Sequence, residues 1–561
     1  MTQSQAAATA GADPADLALG AFTTTAPWVL EDLAPRWRTE APALREAAAA
    51  RVPVLLRRRR LPPEARVLTV ARVLGTAVLA WMARERRRAR RNDQPALSRK
   101  GISHRLRIAF ERLGPTYIKL GQIISSGEGM FPEELVGEFR HLRDRVPPED
   151  FRTVKRVVEE DLGLPLYDLF SNFDRVPLAA ASIAQVHKAT LRSGEQVVVK
   201  VQRPQVAAAV RTDLAAMSWI APALVGRIPI SALANPPALV ELFAETIVEE
   251  LDFRLEADNM LEVARILADT GQRSVVVPRP HPELVTRRVL VMERLDGFAW
   301  DDVEGMHAAG IDTSAVVRAL MVAFLEGAAL YGVLHGDLHG GNLFVMPDGK
   351  VALLDYGITG RLDQDERLAF LRMLIGATLN DQRMQLAALR DLGALPPDTD
   401  IDQVVKDLGL DGPALDPTKM TPEEILTEVR EVTKKLLGYG ARFPKVLMLY
   451  VKDLLFLDSA LATLAPDVDL IAEVAQLAVY FTQRHGERIA ADVGIDPRTQ
   501  TVDLDGFKAS LGLTEDVESI THREVQDRRR QVRERMESRR RGANRYRRPN
   551  LLRRSRRRRS S

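Results

Sequence analysis

One segment near the middle of the chain, His335–Gly357, restricts the fold more than any other. Two short β-type runs, with sequences LFVM and VALLDY, flank a strong turn signal at Pro347–Lys350, so the segment predicts a β-hairpin. Polar residues stand at both ends of this hairpin: Asp337 and Asn342 precede the first run, and Asp355 closes the second. The hairpin therefore brings chemically active side chains to one place.

The spacing of these residues indicates a chemistry. Asp337 and Asn342 follow the pattern H-x-D-x-x-x-x-N, in which the Asp faces an acceptor hydroxyl and the Asn oxygen turns toward a metal on the phosphates. Asp355-Tyr356-Gly357 stands where a second metal-binding carboxylate is needed, and Gly357 permits a sharp backbone turn. Either pattern alone is usually a loop cap or a turn. Their order across one hairpin favours a metal-nucleotide site.

The other half of such a site lies upstream. Lys200 interrupts the apolar run VVVKV, where a lysine normally extends to solvent or lies on an edge strand. A phosphate-binding lysine is instead held by a carboxylate from a helix. Periodicity in the helical stretch Val240–Asp269 does not choose among the four candidates, Glu249, Glu250, Asp252 and Glu256.

The order of helical and β-type patterns predicts an α+β, two-lobed, protein-kinase-like fold with an N-terminal helical extension. Residues 1–60 are rich in Ala, Thr and Pro and are expected to be disordered or loosely helical. The extension covers 61–175, the N-lobe 176–295, and the mainly helical C-lobe 296–515. An Arg-rich tail covers 516–561.

Composition excludes some classes of site and leaves others open. The 561 residues include no cysteine, which excludes disulfides and thiolate metal sites and fits a reducing compartment. Residues 521–561 carry 18 arginines against four acidic residues, so the rest of the chain is net acidic despite an overall charge of +3. The tail is a solvated terminus, a ligand for anionic lipid headgroups, or a nucleic-acid binder. Nucleic acid is disfavoured because Tyr546 is the only aromatic residue there.

Membrane contact is a separate question. The apolar stretch Val67–Ala83 contains Arg72 and is flanked by arginines, so a transmembrane span, an interfacial amphipathic helix and a packed helix all stay open. Two later apolar stretches, 446–461 and 470–481, are interrupted by charges, which makes a C-terminal anchor doubtful; the charged residues are Lys452, Asp453, Asp458 and Glu473. Without a secretory signal pattern, the expected location is cytoplasmic, peripheral at the inner face of the membrane.

Several separated motifs, over about 101–389, resemble the UbiB/AarF family of atypical kinases, whose members are associated with quinone lipid biology. Leu113–Gln122 is similar to the family's Lys-x-Gly-Gln segment, and Ala179–His187 resembles the Ala-rich loop that replaces a Gly-rich loop. Glu250-Leu251-Asp252 resembles the Glu-x-Asp motif. The segment His335–Asn342 corresponds to the family's catalytic loop and is called the catalytic loop below. It lacks the two prolines of the family pattern, and this difference is expected to loosen the loop.

The resemblance implies a set of roles. Catalysis falls to Asp337, Lys200 and its partner Glu256, and Mg²⁺ to Asn342 and Asp355. ATP or ADP is expected to contact the Ala-rich loop, the strand lysine and the inter-lobe hinge. The loop residues are Ala179, Ala180, Ala181 and Ser182, the lysine is Lys200, and the hinge residues are Met292 and Glu293. An occluding group is expected to point toward the pocket, with Lys119 and Gln122 on one helix face and Glu250 and Asp252 as neighbours.

The implied function is an atypical kinase or ATPase that supports quinone or lipid metabolism, with protein phosphorylation disfavoured. An anionic lipid or a quinone-type small molecule is a candidate partner. A non-catalytic nucleotide-gated scaffold stays open as an alternative. A small-molecule phosphotransferase of the aminoglycoside-kinase type also stays open, although the Lys119–Gln122 segment argues against it. The sequence carries no signal for an oligomeric state.

Overall fold

The strand that carries Lys200 forms a hairpin with the preceding strand, joined at Arg192-Ser193-Gly194, at the centre of a six-stranded sheet in which Lys200 lies opposite Val186. A computed structural model describes most of the chain from residue 36 to residue 531. The described residues are 22–23, 36–57, 64–92, 99–125, 131–142, 147–224, 236–410, 432, 435–436, 438–441, 444–499, 503–510, 513–514, 516–531 and 534.

This sheet has the strand order β1-β3-β4-β7-β6, and β2 pairs with β3. Alternate residues of β3 are buried, as expected for a strand with one face on a core. The strands are β1 (Phe170–Phe173), β2 (Ala179–Ala180), β3 (Ala184–Leu191), β4 (Gln196–Gln202), β6 (Pro280–Val285) and β7 (Val289–Glu293).

Helices before the sheet form their own core together with two helices that follow β4. Tyr117 and Phe139 are almost fully buried within it. These helices are α1 (Arg36–Leu55), α2 (Glu64–Asn92), α3 (Arg99–Leu113), α4 (Pro115–Ser125), α5 (Glu133–Phe139), α8 (Val206–Leu224) and α9 (Pro236–Glu250).

Two boundaries differ from expectation. Helix α6 (Phe151–Leu162), with α7 (Leu166–Leu169), packs its Val154, Val157 and Val158 against the sheet, so the N-lobe begins before residue 176. The stretch Val240–Asp269 is two helices, because Asp252 caps a new one, α10 (Phe253–Asp269). The cap places Glu256 in the first turn of α10.

Residues 1–60 are expected to be disordered or loosely helical, whereas residues 36–55 form a packed helix, α1. Trp37 is 4% exposed, and its indole Nε1–H donates to the carbonyl of Pro282, 3.0 Å away. Ala and Arg are strong helix formers, and weak periodicity does not prevent a helix that packs along one edge. The other residues of 1–60, apart from 22–23 and 56–57, lie outside the described residues.

The predicted hairpin at His335–Gly357 is present as two strands, β10 (Leu343–Val345) and β11 (Val351–Leu353), joined through Gly349 with φ of 82°. They belong to a four-stranded sheet with the order β5-β11-β10-β8, and a smaller pair joins β9 to β12. The added strands are β5 (Val275–Val276), β8 (Phe298–Ala299), β9 (Val333–Leu334) and β12 (Gly360–Arg361).

The described part of the C-terminal half is otherwise mainly helical. Helix α12 (Thr313–Glu326) continues as a π-helical turn at Gly327–Tyr331, and Gly340–Asn342 form a 3₁₀ turn. The remaining helices are α11 (Val303–Ala308), α13 (Gln364–Thr378), α14 (Gln382–Asp391), α15 (Ile401–Leu408), α16 (Lys445–Leu464), α17 (Leu470–Val493) and α18 (Leu504–Ser510), with a 3₁₀ turn at Pro497–Thr499.

The chain divides into two units. The larger comprises Met1–Leu371, Ala388–Pro397 and Gly440–Leu457, and the smaller comprises Arg372–Ala387, Asp398–Tyr439 and Asp458–Ser561. The sheets and every candidate site residue belong to the larger unit.

Part of the predicted tail is folded within the smaller unit. Ile520 and Val525 are buried in a cluster with Ile471 of α17, and residues 522–531 are helical. The boundary predicted at 516 is therefore too early. The arginines beyond residue 534 lie outside the described residues.

Among the described residues, two helical segments have the length and composition to cross a membrane. Arg66–Arg84 has a mean hydropathy of 1.4 and is 11% buried, whereas Thr313–Tyr331 has a mean hydropathy of 1.5 and is 61% buried. The second is a core helix, because most of it is covered by protein. The first leaves Leu68 and Leu79 exposed by 71% and 62%.

The packing of α1 predicts a measurable loss of stability. Trp37→Ala removes a buried ring and leaves the Pro282 carbonyl without its donor, so we expect the free energy of unfolding to fall by about 3–5 kcal/mol. Val54→Ala on the same helix, at a side chain 73% exposed, is the control and should change it by no more than about 0.5 kcal/mol. Urea titration followed by circular dichroism measures both. Equal effects of the two substitutions would contradict the packing of α1.

Candidate active site

Lys200 is held between two carboxylates. Its Nζ lies 2.7 Å from Oε1 of Glu256 and 3.2 Å from Oδ2 of Asp355. The Glu256 residue is only 4% exposed, and Nζ also lies 5.5 Å from the ring centroid of Phe253. Burial alone would lower the pKa of Lys200, but the charges of Asp355 and Glu256 outweigh it and raise that pKa above its usual value. Of the four carboxylates that the sequence left open, Glu256 is therefore the helix partner.

The turn at Asp355–Gly357 is fixed by backbone contacts. Oδ1 of Asp355 accepts a hydrogen bond of 2.9 Å from the backbone N–H of Gly357. A side chain at Gly357 would begin only 3.1 Å from that same oxygen, so the close approach favours glycine. The amide of Asn259 donates to the carbonyl of Tyr356, 2.8 Å away, and ties this turn to helix α10.

The catalytic-loop residues contact one another. Nδ2 of Asn342 donates to the backbone carbonyl of Asp337 at 3.2 Å. Gly336 adopts φ of 72°, a left-handed conformation that favours glycine and turns the loop sharply. Burial alone would raise the pKa of Asp337, but Lys452, Lys119 and then His339 outweigh it and hold that pKa well below its usual range.

Sequence reasoning missed two residues of helix α16. Nζ of Lys452 donates to Oδ1 of Asp337 and to the carbonyl of Gly336, the latter at 3.2 Å. The fully buried Asp453 accepts from the backbone N–H groups of Gly336 and Leu338, at 3.0 and 3.2 Å. The signal was visible as two charges inside an apolar stretch, but their partners lie more than 110 residues away in sequence.

The side chains of Lys200, Asp337 and Asp355 line a cavity of about 960 Å³. The Ala-rich loop is on its wall, where Ala179 and Ala180 pair with Val186 and Gln185 of β3. Predicted site residues that the cavity brings together are Lys119, Ala179, Ala180, Ala181, Ser182, Lys200, Glu250, Glu256, Met292, Glu293, Asp337, Asn342 and Asp355.

Another residue that sequence reasoning missed is Arg203, which fixes the Ala-rich loop from behind. Its Nε donates to the carbonyl of Ala181 at 3.1 Å, and its Nη2 donates to the carbonyl of Pro147 at 2.9 Å. Nη1 pairs with Glu149, also at 2.9 Å. The loop is thus held by hydrogen bonds from an arginine that directly follows β4.

The expected occluding group is only partly assembled. Nζ of Lys119 lies 3.1 Å from Oε2 of Glu250, and both side chains face the cavity with little exposure. Gln122 and Asp252 are not among the lining residues. Gln122 donates to the carbonyl of Leu142 instead, at 3.4 Å, and Asp252 caps α10 and pairs with Arg254 at 2.7 Å. Both side chains find local partners, which corrects the expectation that they surround the pocket.

The hinge strand β7 ends at Met292 and Glu293, both at the cavity wall. The carboxylate of Glu293 accepts hydrogen bonds from the hydroxyl of Thr23 and from the backbone N–H of Arg279. Burial raises the pKa of Glu293, although these contacts oppose the rise. The contact with Thr23 brings the N-terminal segment to the hinge, which the sequence did not indicate.

Comparison with known proteins identifies a family. The family model described as "ABC1 atypical kinase-like domain" matches residues 141–388. A chloroplast protein of Arabidopsis thaliana, named as an uncharacterized aarF domain-containing protein kinase, is 32% identical over 395 residues, which cover 66% of this chain and 73% of the relative. The chain belongs to the ABC1/AarF family of atypical kinase-like proteins.

Other relatives of this ABC1/AarF chain have less specific names or cover less of its length. The uncharacterized protein Rv0647c of Mycobacterium tuberculosis is 37% identical over 66% of the chain and 76% of the relative. A probable protein kinase UbiB of Aeromonas salmonicida is 34% identical over 58% and 60%, respectively. A solved complex of Rv3197 with erythromycin, also from M. tuberculosis, covers 62% of this chain and 91% of the other at 22% identity and a TM-score of 0.36.

The two hydrogen bonds that Asp453 accepts make a prediction about loop stability. Asp453→Ala leaves two buried N–H groups without acceptors, each costing about 1–3 kcal/mol, so the free energy of unfolding should fall by about 2–6 kcal/mol. Asp453→Asn keeps one acceptor oxygen and should lose roughly half as much. Urea titration of the three proteins tests this order. If the alanine and asparagine variants are equally stable, the two hydrogen bonds do not support the loop.

Proposed function

We propose that this protein binds a Mg²⁺-nucleotide and catalyses ATP hydrolysis or phosphoryl transfer to a small molecule. The observation that carries the proposal is the convergence of Lys200, Glu256 and Asp355 with Asp337 and Asn342 on one cavity. The cavity volume of about 960 Å³ lies at the upper end of the range for small-molecule and cofactor sites, roughly 300–1,000 Å³.

The residues present fit a magnesium ion that arrives with a nucleotide. Asn342 uses its amide nitrogen on the carbonyl of Asp337, which leaves its oxygen as the ligand atom, and Asp355 supplies carboxylate oxygen. Mg²⁺ bound to phosphates usually takes only one or two protein oxygens. Consistent with this, the described residues contain no cluster of three or more His, Cys, Asp or Glu suited to hold a metal by itself. When bound, the ion neutralises charge on the phosphates.

Each side chain then has a defined task. The ammonium group of Lys200, oriented by Glu256, binds phosphate oxygens and keeps them beside Asp355. Asp337 orients the attacking water or the hydroxyl of an acceptor. Its lowered pKa makes it a weak base, which suits a loose transition state that needs orientation more than proton removal.

A second candidate is a nucleotide-gated scaffold without turnover. The observation that favours it is the ion pair of Lys119 with Glu250, which stands in the cavity beside Asp337. Alanines in place of glycines also make the phosphate-facing loop stiffer, because alanine disfavours positive φ. A protein-sized acceptor is disfavoured, since the helix that carries Lys119 borders the site.

Phosphate release with Mg²⁺ and ATP separates the two candidates. For the enzyme, we expect turnover that is lost on chelation with EDTA and reduced at least about 100-fold in Asp355→Asn, since the metal-binding carboxylate is removed. Asp348→Asn, at an exposed turn residue of the same hairpin, is the matched control and should keep full activity.

Thermal denaturation with nucleotide supplies the second readout. Stabilisation by Mg²⁺-ATP or Mg²⁺-ADP without turnover, also in the presence of lipid, supports the scaffold. If neither nucleotide stabilises the protein, both candidates are rejected.

We also propose that the protein associates peripherally with the inner face of a membrane, through helix α2 and with anionic lipid as the partner, in support of quinone or lipid metabolism. Leu68 and Leu79 expose large apolar surfaces on a segment that is only 11% buried. Arginines flank this segment in sequence, and they attract anionic headgroups. The Arg-rich tail adds charge of the same sign.

Liposome co-sedimentation tests this placement. We expect binding to vesicles containing phosphatidylglycerol to weaken at least about tenfold in Leu68→Asn/Leu79→Asn, because two apolar anchors of about 1.5–3 kcal/mol each are removed. Leu164→Asn/Val176→Asn, at side chains exposed by 49% and 79% elsewhere, is the control and should bind like wild type. A chain lacking residues 535–561, which keeps the buried Val525, measures the contribution of the tail. Unchanged binding in the first double variant would reject α2 as the contact.

A further inference from the structure

The catalytic loop is completed by a helix that lies beyond the matched family domain. The family model ends at residue 388, whereas Lys452 and Asp453 belong to Lys445–Leu464. These two consecutive residues hold the loop together, because Asp453 binds the backbone on either side of Asp337 and Lys452 binds its carboxylate. The site therefore includes a residue that neither the motif pattern nor the family match contains.

We infer that Lys452 is a positioning residue for phosphoryl transfer, which holds the Asp337 carboxylate in the orientation that the reaction needs. Its ammonium group bonds both Oδ1 of Asp337 and the carbonyl of Gly336, so the side chain and the backbone of the loop share one cation. The inference rests on the proposed function, since it assigns a role within that site.

The other cations near Asp337 are less suited to this role. Lys119 pairs with Glu250, and Lys200 pairs with Glu256 and Asp355. His339 lies 4.0 Å from Oδ2 of Asp337, with a side chain 46% exposed, so a charge on it depends on protonation and is screened by solvent. Lys452 bonds directly to the Asp337 carboxylate.

Helix α16 is itself firmly placed beneath the loop. The ring of Tyr450 stacks on Phe324 with centroids 5.9 Å apart and meets Phe370 edge-on at 4.9 Å. Phe456 packs on Trp300 at 5.6 Å. Because aromatic contacts fix the helix on both sides of Lys452, the ammonium group has a defined position rather than that of a mobile surface lysine.

Lys452 acts through Asp337 and not on the nucleotide. It is not among the residues that line the cavity, whereas Asp337 is. Removing the cation leaves Oδ1 of Asp337 free to rotate toward Lys119 or His339, its other positive neighbours. A displacement of about 1 Å in a reacting group costs roughly 100-fold in rate, while nucleotide binding, which depends on Lys200, is left intact.

The test compares three substitutions at Lys452 with a matched lysine of the same helix. Lys452→Met removes the charge and the donor. Lys452→Gln keeps a neutral donor, and Lys452→Arg keeps the charge. Lys445 pairs with Glu249 at 3.5 Å and is partly buried, so Lys445→Met controls for the loss of a half-buried lysine. For each full-length variant, the measurements are the melting temperature, the Kd of Mg²⁺-ADP by calorimetry, and kcat and KM for phosphate release.

We expect kcat to fall about 100-fold in Lys452→Met, with the Kd of Mg²⁺-ADP within about threefold of wild type. Lys452→Arg should recover at least tenfold of that loss, Lys452→Gln should lie between, and Lys445→Met should keep wild-type kcat. A merely structural lysine would instead weaken nucleotide binding and thermal stability together with kcat. If Lys452→Met unfolds, the arginine and glutamine variants supply the comparison.

The outcomes separate this inference from the proposed function. Wild-type turnover with equal kcat in Lys452→Met and Lys445→Met overturns the inference and leaves the proposed function standing. A fall in kcat that arginine does not rescue also overturns it. Nucleotide binding by wild type without turnover rejects the proposed enzymatic activity, and the inference with it.

Discussion

The ion pair between Lys200 and Glu256 is the interaction on which the arrangement of the site depends. It joins the central strand of the six-stranded sheet to the first turn of helix α10, and the two residues are 56 positions apart in sequence. Three buried or half-buried charges then meet, because Asp355 comes from the second sheet to the same ammonium group. Separating a buried cation from two anionic partners costs free energy. This one contact therefore ties the two sheets and the helix together.

Local sequence patterns predicted the parts of the site that depend on contacts within a few residues. The hairpin at His335–Gly357 and the strand that carries Lys200 were visible because turn residues and apolar runs act over a few residues. The break at Asp252 was missed, since an N-cap competes with helix continuation at a single residue. Glu256 was selected by resemblance and not by periodicity, as four carboxylates shared one helical stretch.

Contacts between residues far apart in the chain could not be predicted from a single sequence. Lys452 and Asp453 appeared only as charges that interrupt an apolar helix, and Arg203 as one surface-type residue among many. Their partners, Asp337, Gly336 and Ala181, are fixed by how the helices and strands pack. Gln122 shows the converse, because this residue of a recognised motif donates to the backbone carbonyl of Leu142 and does not line the cavity. Pairing of buried polar groups therefore decides details that motifs leave open.

The anchoring of the catalytic loop by Asp453 has a consequence for the order of events during translation. The backbone N–H of Gly336 and its acceptor are 117 residues apart, and domains generally fold as the chain emerges, at about 5–20 residues per second. The loop therefore leaves the ribosome several seconds before the helix that completes it. The strands of the six-stranded sheet end at Glu293, so the whole sheet around Lys200 has been synthesised while the loop still lacks its anchor. The arrangement of the site is therefore completed late in synthesis.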